Sequence, residues 1–359
     1  MTATPTTPRA VVNPAPRPGQ VQPPAGDEVM RFHAQLPGYR PTPLQDLGPQ
    51  GVGSVQLKDE SNRLGLPAFK ILGVSWAVEQ ILAGGQAGST LVAASAGNHG
   101  RAVARVAAGR RLSCRIYLPV TVGDAPAELI EAEGAQVMRV DGNYDDAIAA
   151  AEHAAAQPGT LLIADTGTSA SASAVIDGYG TLFGEAAAQA SAPFDVVIVP
   201  IGVGALAAAA VRFAAHHRPA ATVVGVEPAT AACVTASLAI GHPQTVPTPG
   251  TSMTGLDCGT PSATAWPTLR DGLAGTITVT DTEAQQVMRD LAGYGLVIGD
   301  CGAAPLAALR ALLDDESCRQ LRAATRLGRS ARVLCIGTEG ASDPASYRRT
   351  VGGARPARG

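Results

Sequence analysis

Only two of the chain's 27 basic residues are lysines, Lys58 and Lys70. A guanidinium keeps its charge and does not condense with a carbonyl, whereas a desolvated lysine amine can lose its proton and form an imine. Lys70 ends the turn-rich stretch Ser61-Asn62-Arg63-Leu64-Gly65-Leu66-Pro67-Ala68-Phe69 and precedes the apolar run Ile71-Leu72-Gly73-Val74-Ser75-Trp76-Ala77-Val78, which predicts its amine at the start of a helix. Three glycine-rich loops follow apolar runs. In the first, Ser95, Ala96, Gly97, Asn98 and His99 offer successive backbone N–H groups at a helix start, a setting that holds a carboxylate, with the Asn98 amide as a directional donor. In the second, Gly202, Val203, Gly204, Ala205 and Leu206 let the backbone approach a phosphate at a helix N-terminus. That loop lacks the third glycine of a dinucleotide fingerprint and the Gly-Lys-Ser/Thr end of a P-loop, so a phosphomonoester suits it better than a pyrophosphate. In the third, Gly337-Thr338-Glu339-Gly340, the Thr338 hydroxyl is either a partner for a ring nitrogen or a helix cap.

The elements that must position these groups alternate. Short apolar runs at 90–94, 114–118, 136–140, 195–199, 222–226 and 332–336 read as strands, with helices at 101–109, 124–133, 144–156 and 204–217 between them. Strands this apolar are buried on both faces, as in parallel sheets of βαβ units, and such sheets bind ligands beyond the carboxyl ends of their strands. The fold class is therefore α/β. Residues 1–27, rich in proline, are expected as a disordered tail, and residues 348–359 as a short flexible basic one.

Composition excludes several function classes. A net charge of −3 gives no basic footprint for nucleic acid. The chain has no run of about 18 apolar residues that would span a bilayer and no signal-peptide core, so a cytoplasmic protein without membrane contact is expected. Six scattered cysteines without a CxxC pair indicate neither zinc nor a disulfide framework, and His216-His217 lacks the companions of a metal site. Cys301, in Asp300-Cys301-Gly302, is assigned no nucleophilic role.

An imine-forming lysine, a phosphate cradle and a hydroxyl for a heteroaromatic nitrogen are jointly the parts of a pyridoxal 5'-phosphate site. At this point the chain, from about Tyr39 to Gly340, resembles the fold type II pyridoxal-phosphate enzymes, the group of threonine dehydratase, serine racemase, cysteine synthase and diaminopropionate ammonia-lyase. It is most similar to the last. The segments that carry this are Lys58-Asp59-Glu60-Ser61-Asn62-Arg63 through Lys70, Gly97-Asn98-His99-Gly100-Arg101, Asn143-Tyr144-Asp145-Asp146-Ala147, Gly255-Leu256-Asp257-Cys258-Gly259-Thr260-Pro261 and Gly337-Thr338-Glu339-Gly340.

The resemblance implies a tryptophan synthase β-like fold of two lobes, each with a mainly parallel sheet flanked by helices. It implies a large cofactor-binding lobe from 28–94 and 191–347, and a small lobe from 95–190. Lys70 would hold the cofactor covalently, Asn98 would meet its phenolic oxygen, residues 202–206 its phosphate and Thr338 its pyridine nitrogen, while the loop 95–99 takes the substrate carboxylate. Asp165, in Ala164-Asp165-Thr166-Gly167, matches an active-site aspartate placed to hold an ammonium leaving group. The chain departs from the ammonia-lyases at Ala96, where they carry an aspartate, and at Ser169-Ala170-Ser171-Ala172-Ser173, which replaces a tryptophan-containing sequence. Cys258 matches one half of a cysteine pair whose other half is missing from Thr276-Ile277-Thr278-Val279. The implied activity is β-elimination on a 3-substituted L-2-amino acid, with 2,3-diaminopropionate leading. The alternatives are β-replacement, serine or threonine dehydration, and a catalytically idle cofactor-binding regulator. A homodimer is expected by resemblance alone.

Overall fold

The computed structural model describes residues 8–85, 89–164 and 170–352, so Asp165 lies outside the described residues. Eleven described strands form two sheets. The larger contains β1 (Ala10–Val12), β2 (Leu44–Asp46), β3 (Ser54–Asp59), β8 (Val196–Pro200), β9 (Thr222–Pro228), β10 (Gly275–Val279) and β11 (Arg332–Gly337), in the order β1-β10-β9-β8-β11-β3-β2. The smaller contains β4 (Thr90–Ala94), β5 (Ser113–Pro119), β6 (Gln136–Val140) and β7 (Thr160–Leu162), in the order β6-β5-β4-β7. All pairings are parallel except β1 with β10 and β2 with β3, the antiparallel edges of the larger sheet.

The helices of the first half are α1 (Glu28–Ala34), α2 (Lys70–Ala83), α3 (Asn98–Gly109), α4 (Asp124–Glu131), α5 (Tyr144–Ala155) and α6 (Ala170–Gln189). Those of the second half are α7 (Ala205–His217), α8 (Cys233–Ile240), α9 (Trp266–Gly272), α10 (Asp281–Gly293), α11 (Asp300–Asp314), α12 (Arg319–Ala324) and α13 (Pro344–Val351). None of the described helices is long and apolar enough to cross a membrane.

Three expectations need correction. The first is the disordered tail: β1 pairs Ala10 with Ile277 and Val12 with Gly275, and Val21 is buried, because the short run Ala10-Val11-Val12 finds a free sheet edge far along the chain. Arg9 reinforces that strand through hydrogen bonds to the Thr278 carbonyl and to Glu283. The second is the basic tail, whose first residues, Arg348 to Val351, close α13; Asp343 caps that helix by accepting from the N–H groups of Ala345 and Ser346. The third is the lobe boundary. Residues 90–94 belong to the smaller sheet, paired with β5 and β7, while α6 buries Val175, Tyr179 and Phe183 in the core of the larger one.

α2 explains why the boundary is hard to draw. Its residues Ile71 to Val78 are all buried: Ile71, Val74 and Val78 pack into the core of the smaller sheet, and Leu72, Trp76 and Ala77 into that of the larger. A helix apolar all round is a helix with protein on every side. Its approach to α6 is glycine-dependent, because a Cβ at Gly178 would sit 2.6 Å from the Leu72 carbonyl oxygen and 2.7 Å from the Gly73 Cα. The first residue of this wedge is Lys70.

Candidate active site

Lys70 is anchored from both sides. Upstream, Lys58 is fully buried and donates to Glu185 at 2.7 Å, to the Thr42 carbonyl at 2.7 Å and to Gln189 at 2.9 Å. Arg63, also fully buried, grips two carboxylates, with Nη1 at 2.7 Å and Nη2 at 2.8 Å from Glu185, and Nε at 2.8 Å and Nη2 at 2.6 Å from Glu60. Two cations and two anions thus close a network inside the protein. Burial alone would raise the Glu185 carboxyl, but the hydrogen bonds and charge of Arg63, with those of Lys58, hold it at about 2. Burial pushes the Lys58 ammonium down, with Glu185 opposing. This lysine is therefore held as a structural ion.

Downstream, the segment before Lys70 lies against the segment after β11. The Phe69 N–H donates to the Thr338 carbonyl at 3.3 Å, the Gly340 N–H to the Pro67 carbonyl at 2.9 Å, and Ala68 forms an isolated antiparallel bridge with Glu339. The pairing sets the lysine beside the threonine. Phe69 packs its ring on Tyr179 at 4.7 Å between centroids, and the Lys70 Nζ lies 5.6 Å from the Phe69 centroid. Thr338 is 4% exposed, and its Oγ1 is buried with no hydrogen-bond partner among the described residues. A buried hydroxyl without a partner costs desolvation that a bound acceptor or donor would recover.

The other two loops also follow the carboxyl ends of parallel strands. Beyond β8, Gly202 approaches the segment 255–258 so closely that a Cβ would meet the Gly255 carbonyl oxygen at 2.8 Å and the Cys258 Sγ at 3.2 Å. Gly204 adopts φ +101° as the N-cap of α7, and no side chain caps that helix. The amides of its first turn are thus left for an anion. Beyond β4, Gly97 is the N-cap of α3, again without a side-chain cap, and a Cβ there would meet nothing within 4 Å. Gly100 is fixed by sterics, since its Cβ would fall 2.3 Å from the Ser95 carbonyl oxygen. His99 is buried with its Nε2 2.8 Å from the Ile163 carbonyl oxygen, which makes it a loop anchor. Ser95 Oγ accepts from the Gly97 N–H at 3.3 Å, and the exposed Tyr144 donates its hydroxyl to the Ala94 carbonyl at 3.0 Å.

The predicted residues Lys70, Thr338, Asn98 and the loops at 95–99 and 202–206 therefore lie at the carboxyl ends of β4, β8 and β11. One partner was not singled out from the sequence. Asn98 donates its side-chain amide to Glu339 at 2.6 Å and to Ser342 at 3.2 Å, which ties α3 to the end of β11. Burial pushes the Glu339 carboxyl up, with Asp300 adding to the shift and hydrogen bonds from Cys301, Ser342 and Asn98 opposing it. The Glu339, Asp300 and Cys301 donor atoms lie within 4.8 Å of one another. Burial raises the Cys301 thiol well above its ordinary value, with Glu339 and Asp300 adding to it, so it stays protonated and is a poor nucleophile. The signal for Glu339 was its place between two glycines after a strand. All six cysteines are free thiols.

An orphaned hydroxyl, an uncapped helix behind two crowded glycines and a lysine at the mouth of a wedge helix fit a phosphorylated heteroaromatic aldehyde. The family of pyridoxal-phosphate dependent enzymes matches residues 35–339. The chain belongs to that family. Its cofactor is pyridoxal phosphate. The diaminopropionate ammonia-lyase of Salmonella typhimurium is 32% identical over 92% of this chain and 93% of the relative. Among solved structures, the Escherichia coli diaminopropionate ammonia-lyase in complex with an aminoacrylate-PLP azomethine reaction intermediate superposes with a TM-score of 0.87 at 30% identity, covering 96% of each chain. A biosynthetic L-threonine dehydratase of Corynebacterium glutamicum is 34% identical over 58% of this chain and 48% of that protein. As a pyridoxal-phosphate enzyme, the chain has the fold type II architecture expected from its sequence, with two mainly parallel sheets flanked by helices.

Proposed function

We propose that this pyridoxal-phosphate enzyme eliminates the C3 substituent of an L-2-amino acid, 2,3-diaminopropionate first among them, to give pyruvate and ammonia. The carrying observation is the junction at which the backbone of Pro67, Ala68 and Phe69, directly before Lys70, pairs with that of Thr338, Glu339 and Gly340, where the buried Thr338 hydroxyl has no partner among the described residues. The bound cofactor supplies an electron sink for the charge that develops at Cα. Lys70 would hold it covalently, and its amine, when free, would remove the Cα proton as general base. Thr338 would give the ring nitrogen a neutral hydroxyl partner, a setting that suits loss from Cβ over transamination. The amides of residues 202–206 hold the phosphate, and those of residues 95–99 the substrate carboxylate. Asn98, now engaged by Glu339, lies within the same loop and is assigned to the phenolic oxygen. Asp165 is assigned to the ammonium leaving group.

The residue at position 96 supports the L-isomer. Ala96 has no carboxylate to serve as a second base, so proton removal falls to Lys70, on one face only. We further propose a cytoplasmic homodimer. Cofactor-loaded protein incubated with L- and D-diaminopropionate, serine, threonine and O-acylated serines, with keto acid and ammonia quantified, tests the assignment. It stands if L-diaminopropionate gives equal pyruvate and twice as much ammonia, and it fails if serine alone is consumed.

A further inference from the structure

At the opposite end of the larger sheet, where β8 and β11 begin, a cavity of about 210 Å³ lies between α6 and α7. Its floor is buried and apolar, formed by Phe183, Val197, Ala210 and Leu334. Phe194 and Phe213 also line it, so three of the chain's five phenylalanines face one space in a sequence with only 4% aromatic residues. The Phe183 and Phe213 rings lie stacked, 6.1 Å between centroids. Arg332 braces the segment above, donating to the Ser191 hydroxyl and to the carbonyls of Ala192 and Pro193, so the opening is preformed.

Charge enters the lining at one residue. Arg218 is the only charged residue in the lining among the described residues and is exposed, and among those residues its guanidinium donates only to the carbonyl of its neighbour His217 at 3.1 Å. No carboxylate pairs with it among the described residues. An apolar cavity of about 150 Å³ suffices for a benzene ring, and a guanidinium at the rim recognises a planar carboxylate through two parallel hydrogen bonds. We propose that this cavity is a second binding site, for a small monocarboxylate with an aromatic or bulky apolar body, its ring among the phenylalanines and its carboxylate against Arg218. The site is separate from the Lys70 loops, since its walls come from the first residues of β8 and β11 and the last turns of α6 and α7.

Calorimetric titration of the holoenzyme with 3-phenylpropionate tests this. Saturable binding of one ligand per chain is expected. The neutral 3-phenylpropionamide and the Arg218→Gln variant should each lower affinity about tenfold, the loss of a charge-assisted contact. Ala187→Phe, on the half-buried rim, should abolish binding while leaving turnover intact, and Lys70→Ala should leave binding unchanged. Absence of saturable heat at millimolar ligand, equal affinity for acid and amide, or loss of binding in Lys70→Ala would each overturn the proposal. So would an Ala187→Phe chain that still binds, or one whose change is a shift in sedimentation, which would make the cavity a contact between two copies.

Discussion

Asn98 and Glu339 join the two sheets across the site. The Asn98 amide, on the first residue of α3 behind the smaller sheet, meets a carboxyl oxygen directly beyond β11 of the larger one at 2.6 Å. Its partner is buried and its carboxyl is shifted up by burial, so the bond is made in a medium where an unmet donor or acceptor is costly. Asn98→Ala is expected to lower unfolding free energy by about 1–3 kcal/mol and to weaken cofactor retention, read by denaturation and by absorbance titration.

Glu339 gives a pH test with a definite sign. Its folded-state pKa lies above the unfolded value, so the folded chain binds the extra proton and stability is lost as pH rises through the folded pKa. Glu339→Gln should remove that slope while preserving the Asn98 contact on the carbonyl side, a difference visible in urea midpoints measured across the acid to neutral range.

Glu227 makes the same argument at a second place. It is buried at the carboxyl end of β9 and accepts from the N–H groups of Val234 and Thr235 and from the Thr235 hydroxyl, yet burial pushes its pKa up to about 7. Stability should therefore decline from its ordinary value of 4.5 toward about 7 and level off above. In Glu227→Gln the decline should vanish.

Thr338 separates fold from chemistry. Because its hydroxyl has no partner among the described residues, Thr338→Val is expected to leave the cofactor-free chain as stable as before or slightly more so. Turnover of the loaded enzyme should fall about tenfold or more, ~1.4 kcal/mol of barrier, with Thr338→Ser restoring most of it. Equal turnover in the valine variant would remove the hydroxyl from the site.

The two lysines should fail in different ways. Lys58→Met leaves Glu185 buried with one fewer cation and should cost about 3–5 kcal/mol of stability. Lys70→Ala should fold with a near-native midpoint and lose turnover.

Much of this was legible in the chain. The strands at 90–94 and 136–140 form with the bounds their apolar runs predict, but only the first is buried; the second is the edge of the smaller sheet and has no buried residue. β3 was missed because Ser54-Val55-Gln56-Leu57-Lys58-Asp59 carries a charge whose burial depends on Glu185, 127 residues away. β1 was hidden among prolines and exists only because β10 offers an edge. At the site, the start of a helix at Lys70 was readable from the change from turn residues to an apolar run, whereas the Asn98 to Glu339 bond is a contact across 241 residues that no local pattern encodes. The assignment of α6 to the wrong lobe has the same origin, because Gly73 and Gly178 signal a close helix crossing only once both helices are in place.

Borohydride reduction of the loaded protein, followed by peptide mass analysis, tests the central claim most directly. A pyridoxyl group fixed on Lys70, with Lys58 unmodified, is the result the account predicts. Label on Lys58, or a fully loaded protein that retains no label on either lysine, would contradict it.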